Sequence, residues 1–471
     1  MHSSTSGAIA PKKPGLLINR DFALLWTGGA ISVFGDIIFD FTLTVWVALG
    51  LAAHQSWGPL AVSGVLLAAS VPLFVFGPIA GVFVDRWDKR RTMLAMDAIR
   101  AVLIGLLVLA TNIIPLPFLP DGRVPLEWQL GMVYGVVFLN TLCSQFFGPA
   151  RFALIGDVVP EPQRAHAMGI SHAAQMIAMI IAPPLAPVLY LALGAQWAIG
   201  IDALSFLGSF LLVLAVRAPK SATSRVAGQK PNFLREFFAG LGFVARNRVT
   251  STLVISVVVI MLGASAFNAL EIYFALNNLH VTPYLYGFLS TSQGVGAVLG
   301  AVIAGALAQR IGLARMVGMS LLLTSVCILV YARMTSFAPA LALAAFGGVF
   351  QAALNVAVGP LILRVTPRAF VGRVMATINP TTGLAQILGT ILAGYLASKV
   401  LPDFHQQVLG MQFGTFDTIL TGGALLCIAG SIFTIARLGF RDPAPVEPSQ
   451  AESAATPDAE PTVLTEAVPA E

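Results

Sequence analysis

Asp36 and Asp40 stand four residues apart in a stretch, residues 22–49, that is otherwise overwhelmingly apolar. On a helix that spacing puts both on one face. Two carboxylates so close in a low-dielectric medium resist carrying both charges at once, so one of them could take up and release a proton. The other use for either is a structural hydrogen bond to a neighbouring helix, 4 or 7. At about 1.5 Å per residue from Phe22, Asp36 lies roughly 21 Å and Asp40 roughly 27 Å along the helix. Asp36 is then past the middle of an apolar layer about 30 Å thick, and Asp40 is nearer its outer surface. Glu271 lies roughly 31 Å along its own apolar run, where it is either solvated or placed to meet a cation or to gate. Asp97 and Arg100 are three residues apart and are expected to form a structural ion pair. Asp202, at the start of its run, is also read as structural.

Charges in such surroundings require elements that hold them there. The 471-residue chain is 57% hydrophobic and 10% charged, with a mean hydropathy of +0.83; soluble domains carry about 25% charged residues. Lipid is therefore the main solvent. Apolar runs long enough to span a bilayer occur at about 22–49, 58–83, 92–114, 128–148, 166–193, 196–216, 250–275, 285–308, 314–334, 338–362, 373–398 and 414–436. They are longer than the roughly ten-residue alternating segments of a barrel, so the expected fold is an all-α integral membrane protein of about twelve spanning helices. The first run exceeds the apolar core of a secretory leader, about 7–15 residues, and is read as an uncleaved helix.

Of the 27 Lys and Arg residues, only Arg123, Arg333 and Lys399 fall in connectors on the far side, and Arg100 falls inside a run. All others lie on the side of the N-terminus. By the positive-inside rule both termini are expected in the cytoplasm. The formal net charge of +5 is thereby explained without nucleic acid. Expected segments are a cytoplasmic arm (1–19), a six-helix half (20–216), a cytoplasmic central loop (217–249) in which 233–249 reads as an interfacial amphipathic helix, a second six-helix half (250–440), and a disordered, acidic, proline-rich tail (441–471).

The halves echo each other. Gly81-x-x-x-Asp85-Arg86-x-x-Lys89-Arg90 follows the second run, and Gly305 and Arg310 recur 224 residues later, with Gln309 in place of the acid. Ala182-Pro183-Pro184-Leu-Ala-Pro187 has its counterpart, 207 residues on, in Gly389 to Gly394. Such repeats are common in transporters, with the site between them. Gly81 permits close helix approach. Asp85, at a helix end, could accept orphan N–H groups or pair with an Arg, and Arg86, Lys89 and Arg90 anchor the loop or form an ion-pair latch. The polar residues Asn140, Gln145, Gln175, Asn268, Gln293, Gln351, Asn355, Asn379 and Gln386 either line a cavity or tie helices together.

The loop motif, in its position between the second and third runs and with a second copy in the second half, resembles the loop signature of the major facilitator superfamily. Asn19-Arg-Asp-Phe22-x-x-Leu25-Trp26, Ser32-x-x-Gly35-Asp36, Gly148-Pro-Ala-Arg151, Asp202-Ala-Leu-Ser-Phe206 and Pro367-x4-Gly372-Arg373-Val374 are similar to the bacterial branch that contains macrolide and enterobactin efflux proteins. The likeness covers about 20–440. It implies alternating access, a loop motif that gates, with Asp157 as a partner, a bacterial inner membrane and a monomer. Antiporters of the superfamily carry a Gly-rich pattern ending in Gly-Pro on helix 5. Here Ala182-Pro183 and Pro187 stand in that place as a hinge, with Ala for several glycines.

The reading that follows is a secondary transporter exporting amphipathic organic compounds, drug-, macrolide- or siderophore-like, in exchange for protons. Uptake or lysolipid flipping on the same fold is the alternative; a membrane-embedded enzyme or a transporter-like sensor is a third. No HExxH, supported GxSxG or Walker GxxxxGK[ST] is present, so neither an enzyme nor a nucleotide partner is expected, and the proton gradient is the expected energy source with no cofactor. His166 and His172 have no further ligand at metal spacing, and Cys143, Cys327 and Cys427 read as small buried residues; no metal site is expected. The expected partners are a small-molecule substrate and the bilayer.

Overall fold

A computed structural model describes residues 17–113, 115, 117, 122–217, 241, 242, 244–402, 404–408 and 411–439. Twelve helices long and apolar enough to cross a membrane lie among them. In chain order they are α1 (Arg20–Trp46), α2 (Gly58–Val84), α3 (Lys89–Leu107), α4 (Leu126–Val158), α5 (Arg164–Leu193), α6 (Ala195–Leu214), α7 (Arg248–Asn277), α8 (Gly287–Ile311), α9 (Leu313–Tyr331), α10 (Phe337–Val365), α11 (Arg368–Tyr395) and α12 (Thr415–Leu438). A two-stranded hairpin, β1 (Gln406–Val408) and β2 (Met411–Phe413), precedes α12. The arm to residue 16, the loop at 218–240 and the tail from 440 lie outside the described residues. Of the expected interfacial helix, 241–242 and 244–246 are helical.

Polar caps set the helix starts. Asn19 accepts the Phe22 N–H at 2.8 Å and also donates to the Val158 carbonyl at 2.7 Å, tying the start of α1 to the end of α4. Asp88 accepts the Arg91 N–H at 2.7 Å at the start of α3, and Asn247 caps α7. These short side chains satisfy donors that the first helical turn leaves open. Helix α4 runs ten residues beyond the expected end at 148, because Pro149 sits inside it without ending it; neighbouring helices let membrane helices absorb a proline.

The two halves repeat one pattern of neighbours. Helix α1 packs on α5 and α6 as α7 packs on α11 and α12; α4 packs on α2 and α3 as α10 packs on α8 and α9. The halves meet through α2 with α11 and α5 with α8. With twelve spans, both described chain ends fall on one face, here the terminal face. At the far face one apolar cluster joins both halves, from Phe39 and Trp46 to Phe274 and Tyr286. At the terminal face each half keeps its own cluster, around Phe22 and Leu154 in the first and around Val317 and Leu361 in the second. The molecule is closed at the far face and parted at the terminal face.

Candidate functional site

Two cavities adjoin, sharing His172 in their walls. One, of about 520 Å³, lies within the first half between α1, α3, α4 and α5, with Asp36, Arg100, Arg151, Ser171, His172 and Gln175 in its wall. The other, of about 730 Å³, lies between the halves. Its first-half wall has Asp40, Phe41, Met176 and Met179, and its second-half wall has Gln293, Gln351 and Asn355. Four of the polar residues expected in a cavity are therefore there; Asn140 instead is buried and ties helices together.

Asp36 and Asp40 part company. Arg100 Nη2 lies 2.5 Å from Asp36 Oδ1. Arg100 Nε donates to Asn140 Oδ1 at 2.9 Å, and the guanidinium stands 3.9 Å from the centre of the Phe206 ring. With 2% of its surface exposed, Arg100 is fully committed. Asp36 keeps 28% of its side-chain surface open. Asp40 is exposed to the cavity between the halves.

The expected Asp97–Arg100 pair is not formed. Asp97 is buried and accepts the Ser209 hydroxyl of α6 at 2.7 Å, while Arg100 reaches α1 and α4. Three residues of helix turn them toward different neighbours, and the neighbours decide. Asp202 lies in the middle of α6, not at its start, and accepts the Ser205 hydroxyl at 3.1 Å. A Cβ at Gly35 would overlap Asp202 and Ser205, so that glycine is what lets α1 approach α6. Glu271 is half-buried on α7, lines neither cavity, and makes no hydrogen bond or ion pair among the described residues.

The loop motif is anchored within the first half. Lys89 pairs with Asp157 at 2.7 Å. Arg90 donates to the Val213 and Leu214 carbonyls at 3.2 and 2.6 Å, neutralising the end of α6. Trp87 stacks on Phe146 of α4, with centroids 5.8 Å apart. Asp85 and Arg86 are exposed and have no partner among the described residues. Asp85 ends α2, where free carbonyls rather than free N–H groups prevail; Asp88 takes the capping role expected of it. Among the described residues a Cβ at Gly81 or at Gly305 would meet nothing within 4 Å, so the close approach expected at Gly81 is not made while the terminal face is parted. Arg310 is exposed in the last turn of α8.

Helix α5 runs unbroken through Pro183, Pro184 and Pro187. Each proline lacks the N–H that would serve the carbonyl four residues earlier, which frees those of Met179, Ile180 and Pro183. All three face α8. Thr291 donates to the Ile180 carbonyl at 2.7 Å. A Cβ at Gly287 would overlap the Pro183 carbonyl, and one at Gly294 would stand 3.6 Å from the Met179 oxygen. The Ala182–Pro187 segment thus forms the seam to the second half rather than a break in the helix.

Sequence reasoning missed Arg151. A run ending at 148 places it in the connector that follows; the longer α4 carries it into the cavity wall. Its guanidinium lies against Gly29, where a Cβ would overlap it. Its Nε is buried without a partner among the described residues. Helical continuity through Pro149 was the available signal.

Among the described residues, no group of three or more His, Cys, Asp or Glu is arranged to hold a metal ion. The family described as transmembrane secretion effector matches residues 9–451. Macrolide efflux protein A of Streptococcus pyogenes is 27% identical over 284 residues, 60% of this chain and 66% of that protein, just under two thirds of its length. The protein of that name from Enterococcus faecalis is 29% identical over 248 residues, 53% of this chain and 73% of that protein. Among solved structures, a bacterial homologue of the iron transporter ferroportin, in an inward-facing state, superposes with a TM-score of 0.66 at 15% identity, covering 89% of this chain and 99% of that one.

Proposed function

The chain belongs to the transmembrane secretion effector family of major facilitator transporters, and on that premise we propose that it exports amphipathic organic compounds in exchange for protons. It is a multi-pass cell-membrane protein and a transporter of small molecules. The observation that carries the coupling is the Asp36–Arg100 bridge in the cavity wall. A proton taken up by Asp36 cancels the charge that holds Arg100, and a buried guanidinium without its counter-charge is unstable where it stands. Protonation is thereby linked to rearrangement of α1 against α3 and α4. Asp40, exposed to the cavity between the halves, takes the substrate's cationic group, and Phe41, Met176 and Met179 take its apolar body. Thioether side chains adapt to varied apolar shapes.

Efflux by the relatives supports export, and the basic connectors support a cytoplasmic terminal face, so the conformation is open to the cytoplasm. The transporter acts as a monomer and uses no nucleotide. Substrate reaches it partly through the bilayer: a groove of about 540 Å³ on the flank, between α1, α5 and α6, shares Ala30 and Ala174 with the charged cavity. The test is flux in vesicles. A macrolide panel moves under an imposed proton gradient with wild-type protein, and Asp36→Asn abolishes the gradient dependence. Undiminished flux in Asp36→Asn removes Asp36 from coupling; no flux across a broad panel overturns the export reading.

A further inference from the structure

We propose that the cavity within the first half is a recognition site for an oxyanion, a carboxylate or phosphate group on the transported compound, with Arg151 as its cation. This rests on the transport reading above and narrows its substrate class.

Arg151 has five N–H donors and no acceptor, yet no hydrogen bond or ion pair engages it among the described residues, and its Nε is sealed from water. The surrounding acids are otherwise occupied. Asp36 holds Arg100, Asp157 holds Lys89, and Asp97 accepts Ser209. An ionisable group kept inside a membrane span without a partner is costly and is retained for a use. The site is also shaped for it. Helix α1 presents Gly29 to the guanidinium, where any side chain would displace it. Ser171 of α5 lines the same cavity, and its hydroxyl is buried with no hydrogen bond among the described residues. A guanidinium fork matches the two oxygens of a carboxylate or phosphate, and the Ser171 hydroxyl in the wall of the same cavity adds a further donor.

The geometry also orients the compound. Gly29, beside Arg151, and Asp40 are eleven residues apart on α1, roughly 16 Å along the axis. The anionic end then sits in the first-half cavity. The apolar body passes His172 into the cavity between the halves, toward Asp40. The competing arrangement is internal: Asp97 has one buried oxygen without a partner among the described residues, and its movement onto Arg151 would leave no site for an external anion.

The measurement is equilibrium dialysis of the full chain in phosphatidylcholine nanodiscs against 1-naphthoate, 1-naphthamide and 1-naphthylmethylammonium, one ring carrying negative, neutral and positive groups. Wild type is expected to bind naphthoate about tenfold more tightly than naphthamide, the scale of one charge-assisted hydrogen bond. Arg151→Gln and Gly29→Ala each erase that preference while naphthamide binding persists; Gly29→Ala does so with the charge retained. Equal binding of naphthoate and naphthamide to wild type, or a preference that survives both substitutions, overturns the proposal. In nanodiscs containing phosphatidylglycerol, loss of naphthoate binding identifies a lipid phosphate as the source of the anion, and unchanged binding identifies a soluble compound. No gradient enters the measurement, so failed flux in vesicles and failed anion preference are separate results.

Discussion

The two halves share one packing scheme and almost none of their chemistry. In the first, α1 meets α6 across Gly35, Asp202 and Ser205; in the second, α7 meets α12 across Gly263 and Gly423, where a Cβ on either would press on the other's backbone oxygen. Helices α8 and α10 likewise touch backbone to backbone: a Cβ at Gly296 or Gly300 would overlap the carbonyl of Ala345 or Val349. The first half instead buries Asp97, Arg100 and Asp202. The second half buries Asp417, which pairs with Arg333 at 2.7 Å beside the far-face hairpin. The repeat therefore dictates which helices touch, and the side chains at the contact decide whether a half is a rigid wall or a place where charge can change. Small residues in close contact suit the wall, since lipid offers no hydrophobic drive between helices. Paired charges suit the switch, since each is tolerable only while its partner stays.

The sharpest way to break this contrast is to remove one charge. Asp36→Ala leaves Arg100 buried without its counter-charge and is expected to destabilise the protein by about 3–5 kcal/mol, read from unfolding in detergent. Asp36→Asn combined with Arg100→Gln should regain most of that stability while gradient-driven flux stays lost. A loss below about 1 kcal/mol for Asp36→Ala would put the pair in the class of solvated surface bridges and erase the distinction between the halves.

The wall is tested next. Gly300→Val forces α8 away from the Val349 carbonyl and is expected to cost about 1–3 kcal/mol, as overpacking does. It should leave the discrimination between anionic and neutral probes, assigned to Arg151 in the first half, unchanged. A shift in that discrimination would show that the second half shares the chemistry.

The seam between the halves is expected to respond more gently. Thr291→Val removes the bond to the Ile180 carbonyl, worth about 1 kcal/mol, and should raise the population opened at the far face about fivefold. Spin labels at the exposed residues Gln55 and Gln407, one from each half, would report it as added population at long distance. An unchanged distance distribution would mean that the apolar far-face cluster alone holds the halves shut.

The smallest effects belong to the terminal face. Lys89→Gln should lower stability by less than about 1 kcal/mol, because both partners of the Lys89–Asp157 bridge are partly exposed. Asp85→Asn should leave melting unchanged, since Asp85 has no partner among the described residues while that face is parted, and should slow vesicle flux if the motif closes the face in the other state. A measurable melting shift for Asp85→Asn would mean that the closed arrangement is already populated.

Read alone, the sequence determined the solvent, the number of helices, the two-half repeat and the loop motif. Each follows from local quantities: the length of an apolar run against the thickness of a bilayer, or a short motif at a helix end. Tertiary structure alone decided that Arg100 serves Asp36 rather than Asp97, that Asp40 and not Asp36 is open to the cavity between the halves, that the proline-freed carbonyls of α5 meet α8, and that Arg151 stands in a cavity wall. Arg100 and Asp36 are 64 residues apart, Thr291 and Ile180 are 111 apart. A side chain in a membrane interior takes the polar partner that helix packing brings within about 3 Å, and no spacing within one helix contains that information.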